Sequence, residues 1–93
     1  MFGVYLAVEH TEMAPGPRAK RALADAGAAG YQAGLGTDID CDRGARDQLG
    51  LDPGRDYAAV VLYFRSREHA QQFVDLFQPG VVGTAAVTVL CLD

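Results

Sequence analysis

The side chains able to do chemistry fall into a few short groups. Glu9-His10-Thr11-Glu12 holds one of the two histidines, and an imidazole there can act as acid or base near neutral pH. No residue that would orient its ring is identifiable from the sequence, so an exposed loop histidine is the preferred reading of His10. Asp38, Asp40 and Asp42 alternate as in a calcium loop. The glycine, however, stands one place late at Gly44, and Leu49 occupies the position of the bidentate Glu. The wet face of an edge strand, followed by a helix cap at Asp42, accounts for all three carboxylates, and no metal site is assigned. Arg18, Lys20 and Arg21 crowd a helix start, where cations oppose the dipole. With the free N–H groups after Pro17 they form a candidate anion-binding site for phosphate or carboxylate. The simpler reading is a solvated basic face. Tyr5, Tyr57 and Tyr63 could line a ligand cavity, but aromatics are common at interface cores and a subunit seam is preferred. His69 reads as a solvated residue in the first turn of a helix.

Cys41 and Cys91 show neither metal-ligand spacing nor a Cys-x-x-Cys motif. Reduced thiols in a cytoplasmic chain are the expectation. The chain has 93 residues, 49% hydrophobic and 22% charged, enough for one domain over residues 1–93 with a single core. A net charge of −4 disfavours nucleic acid and anionic membrane surfaces. No apolar run is long enough to span a bilayer, and no secretion signal is recognisable at the N-terminus. Seven of the eight basic residues are Arg, and Ala and Gly are abundant, which suggests a GC-rich, bacterial genome.

The elements that must position these groups are best defined between residues 56 and 77. Residues 57–64, rich in Val, Tyr and Phe, predict a strand. Ala70, Phe73, Val74 and Phe77 give the stripe of an amphipathic helix over 68–77, with Ser66 as its cap and Pro79-Gly80 as its stop. Residues 2–9 predict the first strand, with Val4, Leu6 and Val8 on one face and Tyr5 and Ala7 on the other. Residues 18–29 predict an Ala-rich helix whose inner stripe is Ala19, Ala22, Leu23 and Ala26, opened by Pro17. Residues 31–41 alternate as a half-buried edge strand, 42–49 allow a short helix, and 84–92 predict the last strand.

This order, β-α-β-(short α)-β-α-β, predicts an α+β chain of the ferredoxin-like type. Its four-stranded antiparallel sheet carries two helices on one face, with a short extra helix before the third strand. Cys41 and Cys91 would then sit on opposite edges, too far apart for a disulfide. On the face without helices lie Tyr5, Ala7, Tyr57, Ala59, Val61 and Tyr63, more apolar than a solvated face allows. These six are the expected interface, covered by a second copy or another protein. A phase error of one residue, or cover from the 42–53 segment, is the alternative.

Residues 63–70 resemble the third strand and second helix of RNA-recognition motifs, and Val4-Tyr5-Leu6 resembles their first-strand motif. Ala59 and Val61 stand where the base-stacking aromatics belong, so RNA binding is not expected. The element order and apolar outer face also resemble the dimeric α/β-barrel superfamily of small monooxygenases, isomerases, cyclases and stress-response proteins. Its haem-degrading branch, with a Trp-containing pocket, is not implied because Trp is absent. The first helix start resembles the phosphate site of acylphosphatases, without their glycine-rich loop and its arginine. The resulting expectation is a cytoplasmic homodimeric binding or assembly module without cofactor. The alternative is a cofactor-free enzyme on a small apolar ligand, with His10, Tyr5 and Tyr63 around the cavity.

Overall fold

The computed structural model describes residues 1–91. The chain is a small α+β fold around a four-stranded antiparallel sheet in the order β2-β4-β1-β5. β1 is Phe2–His10, β2 Gly34–Gly36, β4 Tyr57–Phe64 and β5 Gly83–Ala86. Helices α1 (Pro17–Ala28) and α3 (Arg67–Leu76) share one face. Their side of the sheet buries Val4, Leu6, Val60 and Leu62 against Ala19, Ala22, Ala26, Ala70 and Phe73. The alanine stripe lets α1 lie close to the sheet, and each larger apolar side chain removed from water contributes roughly 1.5–3 kcal/mol. Proline opens α1 at its first turn, and the Ser66 hydroxyl accepts the His69 N–H at 3.1 Å to cap α3.

A bulge in β1 changes which side chains face which way. The pairing Tyr5↔Val61 is followed by Ala7↔Val60, so Leu6 is the extra residue. Leu6 and Ala7 both reach the helix side, while Val8 packs on the opposite face. The expected outward position of Ala7 and inward position of Val8 are therefore corrected. The alternation of 2–9 continues in the sequence, but the backbone slips by one.

The expected strand over 31–41 is also shorter than its pattern. Only residues 34–36 pair with β4, because Asp38 turns the chain. Its carboxylate accepts the Asp40 N–H at 3.0 Å and starts a 3₁₀ turn over Ile39–Cys41. The two-residue strand β3 (Asp42–Arg43) and the short helix α2 (Ala45–Gln48) follow. Gly44, at φ 101°, precedes α2 in a backbone conformation that favours glycine. Asp42 is thus not the helix cap expected of it.

This segment lies over the sheet face that the long helices leave bare. Ile39 and Ala45 are buried there with Tyr5, Ala59, Val61, Ala85 and Val87, and Leu49 and Leu51 close the margin. Cover expected from a second molecule comes from the chain's own residues 39–51. Beyond Ala86 the expected last strand breaks at Val87, and β6 (Thr88–Val89) pairs with β3 instead of extending the sheet. Leu92, the end of that expected strand, lies outside the described residues.

The two edge strands thus lead into segments that cross the open face and meet. Cys41 and Cys91 form a disulfide with Cα atoms 5.1 Å apart, within bridging distance. The expectation of separated, reduced thiols is corrected, and reduced thiols no longer support a cytoplasmic location. No helix among the described residues is long and apolar enough to cross a membrane.

Candidate functional site: a buried carboxylate between two tyrosines

At the centre of the covered face sits Asp42, 5% exposed. Its Oδ2 accepts the Tyr5 hydroxyl at 2.6 Å, and the Tyr63 hydroxyl donates to the two carboxylate oxygens at 2.7 Å each. Such short bonds are those expected when a hydroxyl donates to an ionised carboxylate. Among the described residues no cation pairs with Asp42, and the one ion pair joins Arg46 to Asp40 at 2.9 Å.

The sheet supplies both donors from adjacent strands. Tyr5 pairs with Val61 and Tyr63 with Gly3, so the two tyrosines are diagonal neighbours on one face. Gly3 is what allows Tyr5 to adopt its position. A Cβ at Gly3 would stand 2.7 Å from the Tyr5 ring, which lies back over that glycine. Tyr5 is fully buried, whereas Tyr63 keeps 41% of its surface exposed.

Burial raises the ionisation of both hydroxyls well above the ordinary phenol value, and hydrogen bonding to Asp42 and its negative charge raise it further. At neutral pH they are therefore donors. Neither is prepared to take a proton from a substrate.

Beside this cluster an open groove of about 370 Å³ runs between β2 and the crossing segment. Ala59, Val61 and Tyr63 of β4 line it, together with Asp42, Val89 and Cys91 of the crossing segments. Tyr63, Val89 and the neighbouring Leu90 are large apolar side chains left exposed.

The other expected site residues are dispersed. His10 stacks on Tyr57 with ring centroids 5.2 Å apart, at the end of β4 remote from Tyr63. Tyr57 also accepts the Asp52 N–H at 3.2 Å. The trio expected around one cavity is thus resolved into Tyr5 and Tyr63 together and His10 apart. Arg18, Lys20 and Arg21 are exposed, and the backbone beside them already holds an anion. Glu9 accepts the Gly16 N–H at 2.7 Å and the Ala19 N–H at 2.8 Å. Of the three aspartates, Asp38 caps the 3₁₀ turn and Asp42 holds the tyrosines. Asp40 faces Arg46, whose guanidinium holds its carboxyl below the usual range.

Sequence reasoning missed Asp42 as the acceptor, Gly3 as the space for Tyr5, and Gln48. The Gln48 amide donates to Ala86 O at 2.7 Å and accepts the Ala86 N–H at 2.8 Å, standing in for a neighbouring strand at the β5 edge. No family model, curated protein or solved structure gives a significant match to this chain.

Proposed function

We propose that this chain is a small, non-catalytic binding and assembly module of the ferredoxin-like type. The order β1-α1-β2-β4-α3-β5, the sheet order β2-β4-β1-β5 and the shared face of α1 and α3 support two interleaved β-α-β crossovers. Its contact surface is the strip of outer face beside the cover, not the six-residue face. Tyr5, Ala59 and Val61 are occupied within the chain.

The observation that carries this reading is the exposed apolar surface of Tyr63 and Val89, which line an open groove, continued by the exposed Leu90 next to Val89 in the chain. The proposed partner is a second copy. β2, at one edge of the sheet, is a short uncharged strand, Gly34-Leu35-Gly36, able to pair with its equivalent. A stable contact of this kind needs about 800 Å² per partner. Sedimentation velocity over a concentration series tests it. The expected result is a dimer whose population falls in Leu90→Asp, an exposed position where the substitution leaves the core intact. A single monomeric species up to several hundred micromolar overturns the reading.

The second reading, a cofactor-free enzyme on a small apolar substrate, has the groove in its favour and little else. Both tyrosine hydroxyls are committed to Asp42, and His10 lies elsewhere.

A further inference from the structure

Residues 88–91 are held unlike any neighbouring segment. Val87 is the last side chain buried in the outer core, and its N–H donates to Met1 O at 2.9 Å. Beyond it Thr88, Val89, Leu90 and Cys91 are all exposed, so little apolar burial retains them. Their backbone is tied by the two-residue pairing Asp42↔Val89 and Arg43↔Thr88, and by the Leu90 N–H donating to Cys41 O at 2.7 Å. An isolated two-stranded ladder is marginal in water even at greater length. The one strong link is the bond from Cys91 to Cys41. Cys91 is exposed and Cys41 half-buried, so the bond lies within reach of an external thiolate.

We infer that the Cys41–Cys91 disulfide is a redox latch. Oxidised, it clamps residues 88–91 across the β3 edge and completes the wall of the groove beside Asp42 and Tyr63. Reduced, it frees the chain from a hinge just after Val87 and opens that wall, while the cover over 39–51 stays seated. The cover has its own anchors in Ile39, Ala45 and the paired Gln48–Ala86 bonds. In the exchange, one thiolate of a dithiol reductant attacks Cys91 Sγ and Cys41 leaves as a thiolate that takes up a proton. The reductant's second thiol, giving up its proton, then displaces the Cys91 sulfur. Two electrons and two protons reach the cysteines, and the reductant becomes a disulfide. Residues 88–91 carry Val89 and Leu90 of the proposed contact rim, but the latch is read from backbone exchange within one chain, so its failure and that of the assembly reading are distinguishable.

Amide hydrogen exchange of the full chain, with and without dithiothreitol, tests it. Reduction should accelerate exchange of the Leu90 N–H and its β3–β6 neighbours at least tenfold, while amides of β1 and β4 keep their protection. Cys91→Ser should show the same pattern without reductant, since the exposed position carries no packing. Unchanged exchange at Leu90 overturns the proposal, because the bond then latches nothing. Acceleration throughout the sheet also overturns it, because the disulfide is then a staple of the whole fold.

Discussion

Replacing Tyr5 by Phe isolates the polar element of the outer core. The ring stays, so the change falls on one hydrogen bond of 2.6 Å to a carboxylate that is 5% exposed. A hydrogen bond to a charged group contributes ~1.5–3 kcal/mol. Asp42 retains Tyr63 on both oxygens, which places the expected loss near ~2 kcal/mol. For a domain of this size that corresponds to a fall in Tm of roughly 8–16 °C. Urea denaturation at neutral pH measures it, with an unchanged m-value because the surface exposed on unfolding is the same. Alkaline pH supplies a second, independent readout. The folded state raises Tyr5 ionisation above its ordinary value of 10.0, so the unfolded chain releases that proton first as pH rises. Stability from this group is then complete below pH 10 and falls above it. The decline is at most about 1.4 kcal/mol per pH unit from Tyr5, with less from the half-exposed Tyr63. Tyr5→Phe should flatten it. A variant within about 0.5 kcal/mol of the parent at neutral pH, or one with an unchanged alkaline slope, refutes the assignment of this hydroxyl to Asp42.

Two other substitutions probe what positions that bond, and a third probes the start of α1. Val61→Lys places a charge at a position 6% exposed beneath the cover, and a loss of more than ~3 kcal/mol in urea is expected. Near-parental stability would show that the cover lifts readily from the sheet. Gly3→Ala drives a methyl into the Tyr5 ring and should cost about 1–3 kcal/mol. Combined with Tyr5→Phe its loss should be less than additive, since both act on one hydrogen bond; strict additivity in a double-mutant cycle counts against the geometry. Glu9→Ala removes the carboxylate that accepts the Gly16 and Ala19 N–H groups. A loss of about 0.5–2 kcal/mol is expected on thermal unfolding followed by circular dichroism, and no change would mean that water replaces Glu9 at no cost.

Elements whose pattern and chemistry agree were legible in the sequence. The strand over 57–64 and the helix after Ser66 carry the right period, a cap and a stop, and both form. The Ala-rich stripe and Pro17 define α1 equally well. The bulge at Leu6 was not legible, because Val4, Leu6 and Val8 satisfy a regular strand as well as a slipped one. Residues 31–41 misled for a related reason. Their alternation suits a strand, but an aspartate able to bond the backbone two residues on offers a 3₁₀ turn instead, and the burial of Ile39 favours it. Once the turn forms, the distance argument that separated Cys41 from Cys91 no longer applies.

The identity of the cover nevertheless follows from a requirement present in the chain. Tyr5 and Tyr63 are diagonal neighbours on adjacent strands, set among Ala59, Val61 and Ala85, with too little bulk around them to fill a seam. A tyrosine hydroxyl buried on such a face needs an acceptor. On the sheet's own face, or on that of a second copy, the acceptors are other tyrosine hydroxyls, which accept more weakly than a carboxylate. A face-to-face dimer of this chain would therefore replace a charge-assisted bond at each Tyr5 hydroxyl by a neutral one, at about 1 kcal/mol each. A segment carrying a carboxylate from just beyond the edge strand removes that cost, and Asp42 is a residue placed to do so. The intramolecular cover thus satisfies two hydroxyl groups as well as burying apolar side chains, and it leaves Tyr63 and its rim as the part of the face still open to a partner.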